Sequence, residues 1–237
     1  MKGDYSLFLL TMALILHIET ATKVCSVGLS RDGELIELLE ESSDKYIHAE
    51  RLTVLIEQLI IGKNLNFSDL SAVAVTSGPG SYTGLRIGVS TAKGLCYALD
   101  IPLIAVNAID GLIEQAKSTY PESTICGMID AKRMEVFSKI IDTKGNLIKD
   151  LSADELDESS YNDFMPFIAC GDGAEKCKTI WGKEKVTFDE TIKSSVKGQV
   201  NIAFDKFGKN EFEDLAYFEP LYLKDFIATK SKKKYFS

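Results

Sequence analysis

The sequence is poor in the residues that build metal centres and disulfide frameworks. Its 237 residues include two histidines, His17 and His48, which belong to separate predicted elements and form no H-x-x-x-H motif. The five cysteines are odd in number and contain no C-x-x-C pair. Metal sites need clustered ligands, and secreted disulfide scaffolds need paired cysteines. We therefore expect no bound metal, no cofactor and reduced thiols, as is typical of a cytoplasmic protein.

Basic residues are outnumbered by acidic ones, 27 to 35, and long apolar runs are scarce. The formal net charge is −8 and the pI is about 5.0, which argues against a protein that binds nucleic acid by charge alone. No apolar run is long enough to span a membrane. The N-terminus, with Lys2 and an apolar run at 7–16, suits a signal peptide poorly, because Asp4 interrupts the basic start and Glu19 stands where a small-residue cleavage site is needed. We interpret residues 1–11 as an N-terminal extension before a natural start at Met12. The basic run at 230–234 is interpreted as a solvated tail, with contact to nucleic-acid phosphate as the alternative.

The most distinctive stretch that the sequence does contain is glycine-rich, S-G-P-G-S-Y-T-G-L-R-I-G at Ser77–Gly88. An apolar, β-branched run at 72–76 predicts a strand before it, and a proline-free run to Leu99 predicts a helix after it, with Ser81 as the N-cap. A strand, a glycine turn and a helix N-terminus can bind an anion. However, the glycine spacing matches neither the dinucleotide fingerprint nor the P-loop. Phosphate binding therefore stays an alternative to a purely structural elbow, which the spacing favours.

Two predicted helices carry apolar or small residues on more than one face. The helix at 46–61 has one apolar face within 52–59 and a second at positions 47, 54 and 61. The helix after Ser81 has small residues four apart, which let another backbone approach closely. Since one side of such a helix faces the sheet, the other side needs a partner. We assign the following residues to a partner-binding surface: Leu52, Leu55, Ile56, Leu59, Tyr82, Gly84, Leu85, Gly88, Ala92 and Leu95.

The order of predicted elements is similar in the two halves of the chain. The first half gives strands at 14–18, 24–30 and 34–39, a helix at 46–61, a strand at 72–76, the helix after Ser81 and a strand at 103–106. The second half gives strands at 124–129, 134–141 and 147–149, a short helix within 152–161, a strand at 167–170 and helices at 174–181 and 191–207. This repetition predicts a duplicated α/β architecture, a β-meander followed by crossover helices. We divide the chain into subdomains at 12–106 and 107–237.

These motifs resemble the TsaB family, formerly called YeaZ. The resemblance rests on I-L-H-I-E-T-A-T at 15–22, H-A-E at 48–50, the glycine-rich stretch, D-A-K-R-M-E at 130–135 and P-L-Y at 220–222. It implies the actin-like, sugar-kinase-like ATPase (ASKHA) fold. Glu19 departs from the pattern, because the family usually has Asp at that position.

The resemblance also implies a function. TsaB proteins are the non-catalytic partners of TsaD, which transfers a threonylcarbamoyl group to the adenosine beside the anticodon of certain tRNAs. TsaE is the ATPase that joins them. By this resemblance the two helices bind TsaD in a heterodimer, the protein forms a homodimer when alone, and tRNA is contacted indirectly through the complex.

The rival interpretation is a stand-alone ATP-binding kinase or ATPase, since the fold class contains many. Such a protein needs phosphate loops in which glycine follows the acidic residue, so that the backbone can approach the phosphates. The openings at Glu19 and Asp130 lack that glycine, although Gly171 and Gly173 could still hold an adenine-sized ligand. We therefore treat these four residues as a vestigial nucleotide-binding set and expect no catalytic residue.

Overall fold

The computed structural model describes residues 12–43, 47–182 and 184–224. The predicted extension at 1–11 and the basic run at 230–234 lie outside the described residues. The strands form two five-stranded sheets. The first sheet contains β1 (Leu14–Glu19), β2 (Val24–Arg31), β3 (Glu34–Ser42), β4 (Ala72–Gly78) and β5 (Leu103–Asn107). The second contains β6 (Ile125–Asp130), β7 (Glu135–Ile141), β8 (Leu147–Glu155), β9 (Phe167–Cys170) and β10 (Val186–Asp189).

Helices connect the strands and cover the sheets. They are α1 (His48–Gly62), α2 (Tyr82–Leu99), α3 (Ala108–Thr119), α4 (Ala174–Cys177) and α5 (Val200–Gly208), the last preceded by a 3-10 turn at Val196–Gln199. In chain order, α1 joins β3 to β4, α2 joins β4 to β5, and α3 joins the two sheets. Within the described ranges, none of these helices combines the length and the apolar character that a membrane crossing requires.

The two sheets share one topology. Their strand orders are β3-β2-β1-β4-β5 and β8-β7-β6-β9-β10. The leading strand of each sheet, β1 or β6, is antiparallel to the strand that follows it and parallel to β4 or β9. The prediction of a duplicated α/β fold, with a β-meander followed by crossover helices, is confirmed.

β1 is apolar because both of its faces are buried. Leu16 and Ile18 belong to the core that α1 and α2 close on one face of the first sheet. Ile15 lies in a smaller core on the opposite face, together with Ala203 of α5. A strand that is covered on both faces has a near-continuous apolar sequence instead of an alternating one. The same principle applies to β6, where Ile129 packs in the α3 core and Met128 in the core around Trp181.

The structure adds one helix that the sequence analysis does not predict. α3 follows β5 directly, and the Asn107 side chain caps it by accepting hydrogen bonds from the backbone N–H groups of Ile109 (2.9 Å) and Asp110 (3.3 Å). Ile109, Leu112 and Ala116 are buried on one face of this helix. Both signals of this helix, the Asn107 N-cap and the apolar spacing, are present in the sequence.

The second half also differs from the prediction in its strands and later helices. The prediction of a short helix within 152–161 is wrong, because β8 continues to Glu155 and pairs with β7 up to that residue. Leu151 and Ala153, two residues apart, pack against the same core, which is the period of a strand. β10 is an additional strand. The helices expected at 174–181 and 191–207 are shorter, since α4 ends at Cys177 and α5 begins at Val200.

The last described part of the chain returns to the first half. We call residues 211–224 the C-terminal strap. Its Glu213 N–H donates to the Leu103 carbonyl (2.9 Å), and its Leu221 N–H donates to the Ser77 carbonyl (2.7 Å). Lys224 then forms an ion pair with Glu135 of the second half. The chain passes from the first sheet to the second after β5. However, α5 and the C-terminal strap follow the second sheet in the chain and pack on the first one. The subdomain limits at 12–106 and 107–237 therefore stay a prediction.

Candidate functional site

The glycine-rich stretch forms the turn between β4 and α2. β4 ends at Gly78, the Gly78–Pro79 peptide bond is cis, and α2 begins at Tyr82. Ser81 is the N-cap as predicted, since its Oγ accepts a hydrogen bond from the Gly84 N–H (3.2 Å). This places the N-terminus of α2 beside the turn that joins β1 to β2.

The β1–β2 turn is packed directly against the start of α2. The Ser81 N–H donates to the Ala21 carbonyl (2.6 Å), and Thr20 Oγ1 donates to the Gly84 carbonyl (2.8 Å). A Cβ at Gly84 would overlap the Thr20 carbonyl oxygen, and one at Gly88 would overlap Thr20 Oγ1. Gly84 is therefore required because the backbone of Thr20 approaches it closely, and Gly88 because the side chain of Thr20 packs against it.

The sequence-based assignment of α2 to a partner needs correction. Gly84, Leu85, Gly88 and Ala92 are all buried inside the chain, so the stripe of small residues faces the β1–β2 turn and the core. Tyr82 and Leu95 are half-buried. The Tyr82 ring packs on Tyr222 of the strap at 4.8 Å between centroids, and Leu95 packs against the core of the first sheet. A partner could reach the four buried residues only if α2 left its own core.

The assignment on α1 needs the same correction. Leu52, Leu55, Ile56 and Leu59 are buried in the core between α1 and the first sheet. The apolar spacing predicts the helix correctly, but these residues form the side that faces the sheet. The second predicted face holds Val54, which is half-buried, and Ile61, whose side chain is 65% exposed.

The exposed sides of the two helices form a surface that we call the helix-pair surface. It consists of Ala49, Glu50, Thr53, Glu57, Gln58 and Ile61 on α1 and of Thr83, Arg86, Ser90, Gly94, Tyr97 and Ala98 on α2. On α2 it contains a second stripe of small residues four apart, Ser90, Gly94 and Ala98. A Cβ at Gly94 would meet nothing within 4 Å, in contrast to Gly84 and Gly88. The sequence contains both stripes, and their spacing alone does not tell which one is buried.

Glu19 lies buried beneath the β1–β2 turn. Its carboxylate accepts hydrogen bonds from the Ala21 N–H (2.6 Å) and from Thr76 Oγ1, and the Gln199 side chain donates to Thr76 Oγ1 (2.7 Å). Burial raises the pKa of Glu19 to about 7, the hydrogen bonds from Thr76, Ala21 and Gln199 oppose this rise, and the charge of Asp172 adds to it. The hydrogen bonds among Glu19, Thr76 and Gln199 thus join β1, β4 and the 3-10 turn before α5.

The other three candidates of the vestigial nucleotide set lie together in the second half. The Asp130 carboxylate forms an ion pair with Lys176, and the backbone N–H of Asp130 donates a hydrogen bond to the Asp172 carboxylate (3.0 Å). A Cβ at Gly171 would overlap the Met128 carbonyl, and one at Gly173 would lie 2.8 Å from the Ile129 carbonyl carbon. Close packing of the β9–α4 turn on β6 therefore accounts for both glycines.

Apolar packing joins the two halves next to these acidic residues. Ala21 and Leu85 of the first half belong to the same buried cluster as Ile129 of the second half, and Leu223 of the strap packs against it. The structure therefore brings Asp130, Gly171 and Gly173 together, and Glu19, under its own turn, is close enough to this group for the charge of Asp172 to raise its pKa. Whether this set binds a nucleotide stays a prediction.

The two histidines have structural partners. His17 Nε2 is 2.7 Å from Ser30 Oγ within the buried centre of the first sheet, and desolvation by burial lowers the pKa of His17 to about 3, so the ring is neutral. His48 Nε2 is 2.8 Å from the Thr22 carbonyl and so ties the start of α1 to the β1–β2 turn. In the described part of the chain, no three His, Cys, Asp or Glu side chains are grouped so that they could hold a metal ion.

Comparison with known proteins decides the family. Residues 41–229, well over half of the chain, match the family model described as TsaD, tRNA N6-adenosine threonylcarbamoyltransferase. The protein of Escherichia coli named tRNA threonylcarbamoyladenosine biosynthesis protein TsaB is 26% identical over 226 residues, which cover 91% of this chain and 96% of that protein. The chain belongs to this family, in its TsaB (YeaZ) branch.

Other TsaB proteins match mainly over part of their length. The TsaB of Bacillus subtilis is 32% identical over 145 residues, 60% of each chain. The TsaB of Haemophilus influenzae is 30% identical over 131 residues, so the chain spans about half of that protein, 55% of each chain. Among solved structures, YeaZ from Pseudomonas aeruginosa has a TM-score of 0.78 at 23% identity and covers 90% of this chain and 100% of its own. This likeness supports the TsaB fold.

Proposed function

We propose that this protein is a non-catalytic subunit in the biosynthesis of tRNA threonylcarbamoyladenosine. In this role it binds TsaD and, together with TsaE, supports the transfer of the threonylcarbamoyl group to the adenosine beside the anticodon. Membership of the TsaB family supports the pathway, because the curated relatives carry that pathway in their names. This transfer reaction takes place in the cytoplasm, where the tRNA substrate is found.

The observation that carries the non-catalytic role is the occupied β1–β2 turn. In a phosphate loop, backbone N–H groups point at the ligand. Here the Ala21 N–H donates to Glu19 of its own turn (2.6 Å), and the Ala21 carbonyl accepts from Ser81 at the start of α2 (2.6 Å). Because the Ala21 N–H is already bound within the chain, it is not offered to a phosphate. This favours a binding role over phosphoryl transfer.

The helix-pair surface is the proposed binding site for TsaD. Gly94 and its neighbours on α2 leave room for another helix to approach closely, and Ile61 adds apolar area on α1. A partner with an equivalent helix pair would complete a four-helix contact. The family model that matches this chain is itself described as TsaD, so the proposed partner is a homologous chain. In the absence of TsaD, a second copy of this protein occupies the same surface as a homodimer, and tRNA is contacted through the complex.

The deciding experiment combines this protein with the TsaD and TsaE of the same organism. We expect co-elution with TsaD and formation of threonylcarbamoyladenosine in tRNA only when this protein is present. We also expect that the protein alone hydrolyses ATP no faster than a buffer blank. Absence of co-elution, or ATP turnover that disappears in Asp130→Ala, would favour the stand-alone ATPase or kinase instead.

A further inference from the structure

Two tyrosine side chains extend almost fully into solvent. Tyr97 on α2 is 83% exposed and Tyr217 on the strap is 84% exposed. The other exposed aromatic side chains of the described ranges, Phe204, Phe212 and Tyr222, are 37–38% exposed. Large aromatic side chains that remain uncovered in a single chain are typical of binding surfaces, where tyrosine is enriched.

The two tyrosines lie on the same side of the molecule. Tyr97 follows Lys93 by one turn of α2. The Lys93 ammonium group donates hydrogen bonds to the carbonyls of Ala216 (3.3 Å) and Phe218 (3.0 Å), the residues that flank Tyr217. Lys93 therefore fastens the part of the strap that carries Tyr217 next to the C-terminal half of α2.

Tyr217 is presented on an ordered backbone. The Asp214 carboxylate accepts hydrogen bonds from the N–H groups of Ala216 (2.9 Å) and Tyr217 (3.2 Å). The neighbouring Leu215 and Phe218 side chains pack into the core of the first sheet. Since the backbone on both sides is fixed, a partner that contacts Tyr217 has little conformational entropy to remove.

We propose that Tyr97 and Tyr217 form an aromatic edge of the TsaD-binding surface and contribute much of its affinity. The inference rests on the proposed function and deepens it, because it extends the contact from the helix pair to the strap. Continuity supports TsaD as the occupant. Tyr97 is next to Ala98 and one turn from Gly94, so a chain seated on the small residues of α2 reaches it. The aromatic edge lies outside the core, which separates its binding role from folding.

The test measures the affinity of purified TsaD for the full-length protein and for three variants. Tyr97→Ala and Tyr217→Ala each remove one exposed ring, and we expect each to weaken binding about tenfold or more, as is typical of tyrosines that anchor an interface. The matched control is Leu147→Ala, which removes an exposed apolar side chain from β8 of the second sheet (51% exposed). We expect this control to bind TsaD with the affinity of the wild type. Melting temperatures verify that each variant is folded.

The possible results separate the inference from the function on which it rests. If the wild type and both tyrosine variants bind TsaD equally well, the aromatic edge is refuted while the scaffold role stands. If the tyrosine variants weaken only self-association, a second copy and not TsaD is the occupant, and the inference is again refuted. If the wild type itself does not bind TsaD, both the inference and the proposed function fall.

Discussion

Replacement of the buried Glu19 by glutamine is expected to remove a pH-dependent penalty on folding. Burial raises the pKa of this carboxyl from an ordinary value of 4.5 to about 7 in the folded protein. The folded state therefore holds one more proton than the unfolded state between these two values. Stability contributed by the protonated group is complete below pH 4.5, declines as the pH rises, and is lost above about pH 7.

The expected size follows from the shift of the pKa. A difference of one pKa unit corresponds to about 1.4 kcal/mol, so the shift of Glu19 corresponds to about 3 kcal/mol between pH 4.5 and pH 8. Glutamine keeps an acceptor for the Ala21 N–H but does not ionise. The difference in the free energy of unfolding between Glu19→Gln and the wild type should thus rise by about 3 kcal/mol in favour of the variant over this range.

The assay is urea unfolding of both proteins at pH 4.5, 6, 7 and 8. The result is the change, between pH 4.5 and pH 8, in the difference in the free energy of unfolding between the variant and the wild type. Altered hydrogen bonds in the variant add the same offset at every pH, so they do not affect this change. Glu57→Gln, which neutralises an exposed carboxylate on α1 away from its first turn, is the control, and its difference from the wild type should change with pH much less than that of Glu19→Gln. Parallel pH profiles for Glu19→Gln and the wild type would show that the carboxyl is already ionised at no cost, and the reasoning would be wrong.

Three further predictions concern the packing of α2 and its exposed side. Gly88→Ala should lower the free energy of unfolding by ~1–3 kcal/mol, because the new Cβ overlaps Thr20 Oγ1, whereas Gly94→Ala should raise it by up to ~1 kcal/mol through helix propensity. Equal effects in urea unfolding would contradict the assignment of the two faces. Thr20→Val removes the donor to the Gly84 carbonyl and should cost ~1–3 kcal/mol, measured in the same way. An unchanged midpoint would mean that this bond contributes nothing. The protein alone should be a dimer in light scattering at high micromolar concentration, and monomer throughout that range would count against the helix-pair surface.

The elements of the first half could be predicted because their local signals agree with the packing. The strand before Gly78 is apolar and β-branched, and Ser81 has the right side chain at the right place for an N-cap. The face of α2 that is buried could not be predicted, because Gly84 and Gly88 have the same spacing as Ser90 and Gly94. Only the position of Thr20, more than sixty residues earlier in the chain, decides which pair is covered.

The candidate site could be predicted in its motifs but not in its exposed residues. The glycine-rich stretch and Glu19 stand out in the sequence, and both take part in the packing around the β1–β2 turn. Tyr97 and Tyr217 have no distinguishing local pattern, because their exposure depends on where the strap lies. The strap itself has no helical or strand period and is held through Lys93 and the backbone of β5. Its course is therefore a tertiary property.

The position of α5 has a consequence for folding of the chain during its synthesis. All five strands of the first sheet have been synthesised by Asn107, but the helix that covers one of its faces begins only at Val200. At typical synthesis rates, these intervening residues take on the order of 5–20 s to emerge. During this interval the apolar side chains of Ile15, Ala72 and Ile104 have no layer over them. The nascent chain is therefore expected to need a chaperone, or the second half as a temporary cover, until α5 leaves the ribosome.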